Sequence, residues 1–131
     1  MREPLTRALT RAVRVVTGHV EEVLRPDGLT VDQWLVLAAL AEERGLTMTE
    51  LTARTPASGP TVTRVVDKLV GTALAYREVD PEDRRRVRVY LSPRGRALHK
   101  RLAGKVADVE RRLLGHAEPD VLDFLLRLAE T

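Results

Sequence analysis

Apolar residues recur along this chain with a helical period almost throughout, and with the period of a strand in one short stretch. Leu5, Leu9, Ala12, Val16, Val20 and Val23 mark one stripe of a first helix, predicted from about Pro4 to Leu24. Pro26 and Gly28 in "RPDGLT" break it. Thr30 is placed to cap a second helix reaching about Glu43, with Trp34, Leu37, Ala38 and Leu40 inward, and Gly45 ends it. Thr47 and Glu50 then have capping-box spacing, which predicts a short helix with Leu51 inward. "TPASGP" stops that helix, and Ser58 caps the next one, with Pro60 in its first turn, where a missing amide hydrogen costs nothing. This helix runs to about Val70. Val62, Val65, Val66 and Leu69 form its apolar stripe, and Thr61, Thr63, Arg64, Asp67 and Lys68 its polar side.

The period then changes from 3.6 to 2. Val87, Val89 and Leu91 alternate with Arg86, Arg88 and Tyr90, as a half-buried strand does, and Ala75–Val79 is its predicted partner. "DPEDRR" between them is the hairpin tip. Ser92 and Pro93 open a long helix with Ala97, Leu98, Leu102, Val106, Val109 and Leu113 on its stripe. Gly104 inside it costs about 1 kcal/mol against alanine, which predicts a close helix contact there. "GHAEPD" breaks this helix, and a last one carries Val121, Leu122, Phe124, Leu125 and Leu128. The stripes of residues 4–24 and 93–130 are too extensive for one small subunit to bury, so an obligate dimer is expected.

Composition narrows the chemistry. The chain has 131 residues, 44% hydrophobic and 31% charged, which suits one globular domain. With one Trp, two Tyr and one Phe, its core must be made of Leu, Val and Ala, which favours packed helices. The absence of cysteine excludes disulfides, thiolate metal sites, cysteine nucleophiles and release by thiol oxidation. No apolar run approaches the ~20 residues of a membrane span, and the N-terminal stretch lacks the apolar core of a signal peptide, so a cytoplasmic location without membrane partners is expected. The net charge of +3 is unevenly spread: residues 1–44 carry −1, residues 45–101 carry +6 and residues 102–131 carry −2. A basic middle segment is the electrostatic footprint of a polyanion binder.

A short helix, a turn and a second helix with a polar outer face make a helix-turn-helix, and a hairpin directly after it makes a winged one. The second helix of such a pair fits a major groove. The arginines of "DPEDRRR" are suited to a flanking minor groove, where narrow A·T stretches concentrate negative potential.

From Leu29 to Arg101 the chain resembles the multiple-antibiotic-resistance regulator (MarR) family of bacterial winged-helix transcription factors. The resemblance rests on "LTVDQWLVLAAL", "LTMTELTART", "SGPTVTRVVDKLV" and above all "REVDPEDRRRVRVYLSPRGRAL". It implies a mainly α fold with a small β-hairpin wing, one domain over residues 1–131. Residues 29–92 would form the winged helix-turn-helix, and residues 1–28 and 93–131 the dimerisation helices. It implies a homodimer on a pseudo-palindromic double-stranded operator, acting as a repressor that a small organic effector releases. Ser58, Pro60, Thr61, Thr63, Arg64 and Lys68 would face DNA, with the threonines reading bases while Arg64 and Lys68 hold phosphates. Asp83 would orient Arg85 into the minor groove, and Arg77, Arg84 and Arg86 would add phosphate contacts. The family's effector pocket falls near Trp34 and His19, although Trp34 also reads as core packing and His19 as an interface residue. Three positions depart from the family pattern: Gly59 where a long basic residue is common, Pro56 for a turn glycine, and Ala73 for a glycine after the recognition helix.

Rival readings are weaker. Ser58 and Ser92 read as caps and the acids of "EVDPED" lie on an exposed turn, so no catalytic constellation is legible and no enzyme is expected. His19, His99 and His116 lack metal-ligand spacing, so neither a metal site nor a cofactor is expected. The alternative is a dimeric module that binds ligand or protein with DNA binding weakened or lost. Gly59 favours it; Arg64, Lys68, Arg77 and the wing arginines oppose it.

Overall fold

Hydroxyl side chains set where four of the helices begin. Thr30 accepts the Gln33 amide at 3.2 Å while Gln33 Oε1 accepts the Thr30 amide at 3.0 Å. Thr47 and Glu50 make the same reciprocal pair at 3.2 and 3.0 Å. Ser58 accepts the Thr61 amide at 3.4 Å and Ser92 the Gly95 amide at 3.0 Å. Each cap satisfies an amide that the helix leaves orphaned, a contribution of about 1 kcal/mol.

The computed structural model describes residues 4–115 and 120–131. Its elements are α1 (Leu5–Leu24), a 3₁₀ turn (Arg25–Asp27), α2 (Val31–Glu42), β1 (Leu46–Thr47), α3 (Met48–Ala53), α4 (Gly59–Gly71), β2 (Ala75–Val79), β3 (Val87–Leu91), α5 (Pro93–Leu114) and α6 (Val121–Ala129). His116 and the middle of the "GHAEPD" break lie outside the described residues. The strands make one antiparallel sheet in the order β1-β3-β2. Register runs from Ala75↔Leu91 to Val79↔Val87 in the hairpin, and Leu46↔Val89 and Thr47↔Arg88 join β1 to it.

The core is aliphatic. Leu37 and Leu40 of α2, Leu51 of α3, Val62, Val66 and Leu69 of α4, Leu46 and Val89 of the sheet, and Leu102 of α5 are fully buried. α1 packs along α5 yet buries only Val20 and Leu24. Its Leu5, Val13, Val15 and Val16 remain exposed, as do Leu113 and Leu114 of α5. No residue of α6 is buried.

Three details differ from the sequence reading. The third strand, β1, was not expected; two residues are too few to show a period. Val87, expected inward, is exposed because it lies beyond the last rung that β1 provides. Gly104 makes no close contact among the described residues: a Cβ there would meet nothing within 4 Å. The tight glycine of α5 is Gly95, where a Cβ would lie 2.0 Å from the Leu74 carbonyl oxygen.

Ala73, which stands where a glycine is usual, is the only non-glycine with positive φ among the described residues, at 63°. The Leu74 amide bonds to Leu69 O at 2.8 Å and the Ala73 amide to Val70 O at 3.1 Å. These are the two bonds of a Schellman motif, with alanine at the left-handed position that glycine usually takes. The left-handed conformation costs an L-residue about 1–2 kcal/mol. Ala73→Gly is therefore expected to raise stability by about 1 kcal/mol, after the extra entropy of a glycine in the unfolded chain is deducted. A denaturant midpoint that falls would show that Ala73 contributes packing the geometry does not reveal.

Candidate nucleic-acid interface

The buried stripe of α4 turns its other side outward. Ser58, Pro60, Thr63, Arg64 and Lys68 are exposed and Thr61 is half-buried. Ser58 Oγ donates to Thr61 Oγ1 at 3.1 Å and Arg64 NH2 donates to the same oxygen at 3.2 Å. The Thr61 hydroxyl thus accepts twice and keeps its own hydrogen to give. Thr63 spends its hydrogen on the Gly59 carbonyl at 3.1 Å and keeps its lone pairs. The two threonines offer opposite polarity, one donor and one acceptor.

At the hairpin tip, the Asp80 amide bonds to Arg86 O and the Arg86 amide to Asp83 O, both at 2.9 Å. Asp83 Oδ1 accepts the Arg85 amide at 3.1 Å and Arg85 Nε at 3.2 Å. Its other oxygen lies 3.8 Å from Arg86 Nε. The Arg85 side chain nonetheless remains 92% exposed, so it is oriented without being covered. Arg84 and Arg86 are exposed beside it. Arg77 is held differently: its guanidinium reaches across from β2 to Asp67 of α4 at 2.5 Å. That pair ties the hairpin to the helix and offsets much of the charge of Arg77.

Two adjoining clefts connect these groups. One, of about 520 Å³, is lined by Thr47, Met48, Thr49, Glu50, Arg85, Arg86 and Val87. The next is lined by Met48, Thr49, Thr52, Ala53, Gly59 and Thr63. The start of α3 is common to both, so wing, α3 and the outer side of α4 form one continuous surface. Sequence reasoning missed Thr49 and Thr52, whose only signal was their polarity on a short helix.

Sequence reasoning also missed the part played by Arg88. Its Nε donates to Asp80 Oδ2 at 2.8 Å, and its NH1 donates to Glu50 Oε1 at 3.1 Å and to Gly45 O at 3.3 Å. The amide of Glu82 and then the Arg88 bond hold the Asp80 carboxyl below its ordinary range. The Thr47 amide and hydroxyl do the same for Glu50.

His19 and Trp34 differ in their surroundings. His19 is exposed on α1. Trp34 is buried and stacks on His99 of α5, ring centroids 5.2 Å apart and planes 11° apart. Burial pushes the His99 imidazole below its usual value, with Glu42 opposing. A cavity of about 440 Å³ does lie nearby, between α2, α4 and α5, but neither residue lines it. Leu29, Leu69, Leu74 and Leu98 give it apolar walls, and Lys68, Arg94 and Arg101 bring positive charge. Arg101 is engaged by Asp27 through two bonds, at 2.7 and 3.3 Å. Among the described residues, Lys68 and Arg94 have no carboxylate partner, and no group of three or more His, Asp or Glu side chains converges on a metal position. No described helix is long and apolar enough to cross a membrane.

Known proteins resemble the chain in both sequence and fold. The sequence pattern of the MarR family matches residues 27–86. The HTH-type transcriptional repressor Rv2887 of Mycobacterium tuberculosis is 30% identical over 111 residues, 85% of this chain and 80% of that protein. Among solved structures, BpsR of Bordetella bronchiseptica, whose DNA binding is regulated by 6-hydroxynicotinic acid, is 27% identical with a TM-score of 0.87, covering 98% of this chain and 94% of that one. The transcriptional repressor CouR, bound to a 23-mer DNA duplex, is 31% identical with a TM-score of 0.83, covering 97% and 90%.

Proposed function

The chain belongs to the MarR family, and on that premise we propose that it is a homodimeric, sequence-specific DNA-binding transcriptional repressor, working in the cytoplasm. The observation that carries this reading is the continuous surface from the Arg85 tip, across the start of α3, to the outer side of α4. An α-helix fits a major groove, and an exposed, pre-oriented arginine fits the minor groove beside it. In this reading Ser58, Pro60, Thr61 and Thr63 meet the major groove. Thr61 gives a hydrogen to a base acceptor, and Thr63 takes one from an adenine or cytosine amino group. Arg64 and Lys68 hold phosphates, as do Arg84 and Arg86 on the wing. Arg77 contributes less, since Asp67 already pairs with it. Residues 29–92 are the DNA-binding part. Residues 1–28 and 93–131 supply the dimer interface, which agrees with the apolar residues exposed on α1, α5 and α6. A two-fold dimer implies a pseudo-palindromic operator. Nothing in these groups calls for a catalytic role.

We place the effector in the cavity between α2, α4 and α5 rather than at His19 and Trp34. Its leucine walls and the positive charges of Lys68 and Arg94 suit a small organic acid. Lys68 belongs both to this cavity and to the outer side of α4, so an anion bound there competes with a DNA phosphate for the same ammonium.

Mobility-shift titrations on a duplex selected from a random library by the wild-type protein test the reading. Arg64→Ala should weaken binding to all duplexes alike and lower the salt slope by about one unit per subunit. Arg85→Ala should cost about 1–3 kcal/mol per half-site and relax the preference for flanking A·T pairs. Removing the negative charge of Asp83 near DNA should help binding on electrostatic grounds alone. If Asp83 pins Arg85, Asp83→Ala should instead weaken binding, and only while Arg85 is present, because an unpinned arginine loses more side-chain entropy on docking. A double-mutant cycle in which the two effects simply add would reduce the wing to a basic surface.

A further inference from the structure

β1 pairs with β3 only as far as Thr47↔Arg88. Beyond that rung the hairpin continues as two strands and then as the tip turn, with the open cleft of about 520 Å³ between it and α3. Arg88 therefore sits at the pivot where a three-stranded sheet becomes a projecting arm. Its guanidinium bonds simultaneously to parts on both sides of that pivot. On the arm side is Asp80, 6% exposed, whose other oxygen accepts the Glu82 amide at 2.9 Å and whose own amide bonds to Arg86 O at 2.9 Å. On the body side are Glu50 Oε1, the same oxygen that caps Thr47 at the start of α3, and the carbonyl of Gly45 in the turn after α2.

We infer that Arg88 is a positioning residue that fixes the angle of the wing to the helix-turn-helix, and so determines whether Arg85 reaches the minor groove while α4 occupies the major groove. This rests on the DNA-binding reading above and goes further, because it assigns the geometry of the two-groove contact to a residue that need not touch DNA. The case is physical. A two-stranded ribbon is marginal by itself. At its root a single guanidinium, with its donors fixed in one plane, ties the wing turn to α3 and to the turn after α2. The two carboxylates remain ionised through the neutral range, because amide and hydroxyl donors hold them before Arg88 does.

The test uses the full-length dimer, the selected duplex and a copy with its flanking A·T pairs changed to G·C. Arg88→Met should lower affinity for the A·T-flanked duplex about tenfold and for the G·C-flanked copy by less than twofold. The loss should vanish in an Arg85→Ala background and persist in an Arg64→Ala background. Arg88→Lys keeps the charge but spans fewer acceptors, so it should fall between wild type and Arg88→Met. A purely fold-stabilising Arg88 would instead weaken both duplexes equally and in every background, and that result overturns the inference, as does no loss at all. Hydrogen exchange of the free protein supplies a readout that does not need DNA. In Arg88→Met the amides of Asp80, Glu82 and Arg86 should exchange several-fold faster, while those of Val65, Val66 and Leu69 are unchanged. Uniform acceleration, or none, overturns the assignment. If the wild type binds no duplex while this local acceleration is seen, the DNA-binding reading fails and the positioning role of Arg88 in the wing stands.

Discussion

Replacing both Leu125 and Leu128 by glutamate is expected to abolish the dimer and leave chains that are monomeric or unfolded at micromolar concentration. Leu122, Phe124, Leu125, Leu126 and Leu128 are all exposed on α6, and no residue of that helix is buried. α1 and α5 leave Val13, Val16 and Leu113 bare as well. An apolar surface of that extent does not persist in water unless another surface covers it. Burying one leucine side chain contributes about 1.5–3 kcal/mol. Two-fold symmetry presents each substituted position twice, so the double substitution removes roughly 6–12 kcal/mol before the cost of burying four carboxylates is counted. That is as large as the whole stability of an ordinary domain, about 5–15 kcal/mol. Sedimentation velocity and light scattering read the outcome directly. A wild-type chain that sediments as a well-folded monomer at micromolar concentration would refute the expectation at its root.

Gly95→Val is expected to destabilise the fold by about 3 kcal/mol or more, near the upper end for an overpacked site. A Cβ at Gly95 would lie 2.0 Å from the oxygen and 3.1 Å from the carbon of the Leu74 carbonyl, with Leu91 Cδ2 at 3.3 Å. The obstacle is backbone, so no side-chain rotation relieves it. The Leu74 oxygen also accepts the Ser92 amide at 3.0 Å, and Ser92 Oγ donates to Ala73 O at 2.8 Å. Moving α5 outward to make room breaks both bonds and with them the junction of α4, β2 and α5. Gly104→Ala on the same helix meets nothing within 4 Å and should be neutral or stabilising by up to ~1 kcal/mol. Urea midpoints compare the two. Similar losses at both positions would show that the Leu74 carbonyl is not what limits Gly95.

Much of the fold was legible because its determinants are local. The Thr47–Glu50 box, the Ser58 cap and the α4 stripe depend on residues three or four apart, and the structure has each of them. β2 and β3 have the expected spans, and Val89 and Leu91 turn inward as the alternation requires, although Val87 does not. What could not be read depends on partners far along the chain. Gly95 is tight because Leu74 lies against it, whereas Gly104 has no such neighbour among the described residues, and spacing alone does not separate two glycines on one helix. Arg88 occupies a polar slot in an alternating strand; its partners Glu50 and Gly45 are 38 and 43 positions away. The cavity between α2, α4 and α5 escaped the sequence reading for a similar reason. Trp34 was prominent as the only tryptophan, but the cavity is assembled from leucines and basic residues of three helices. The candidate wing residues were easier, since Asp83 and Arg85 are two positions apart and meet through a local turn.

The short strand β1 also bears on the order in which this fold is built. Its rungs, Leu46↔Val89 and Thr47↔Arg88, close a long loop that contains α3, α4 and β2. Closing a loop of that size costs entropy that a two-residue strand can offset only when the intervening segments are already compact. The β2–β3 hairpin and the capped helices need only nearby residues, and contacts of short sequence separation form fastest. The third strand is therefore expected to join last, after α4 has packed and the hairpin has zipped. A contact made after the folding barrier changes mainly the unfolding rate, so substitutions in the turn after α2 should act chiefly there.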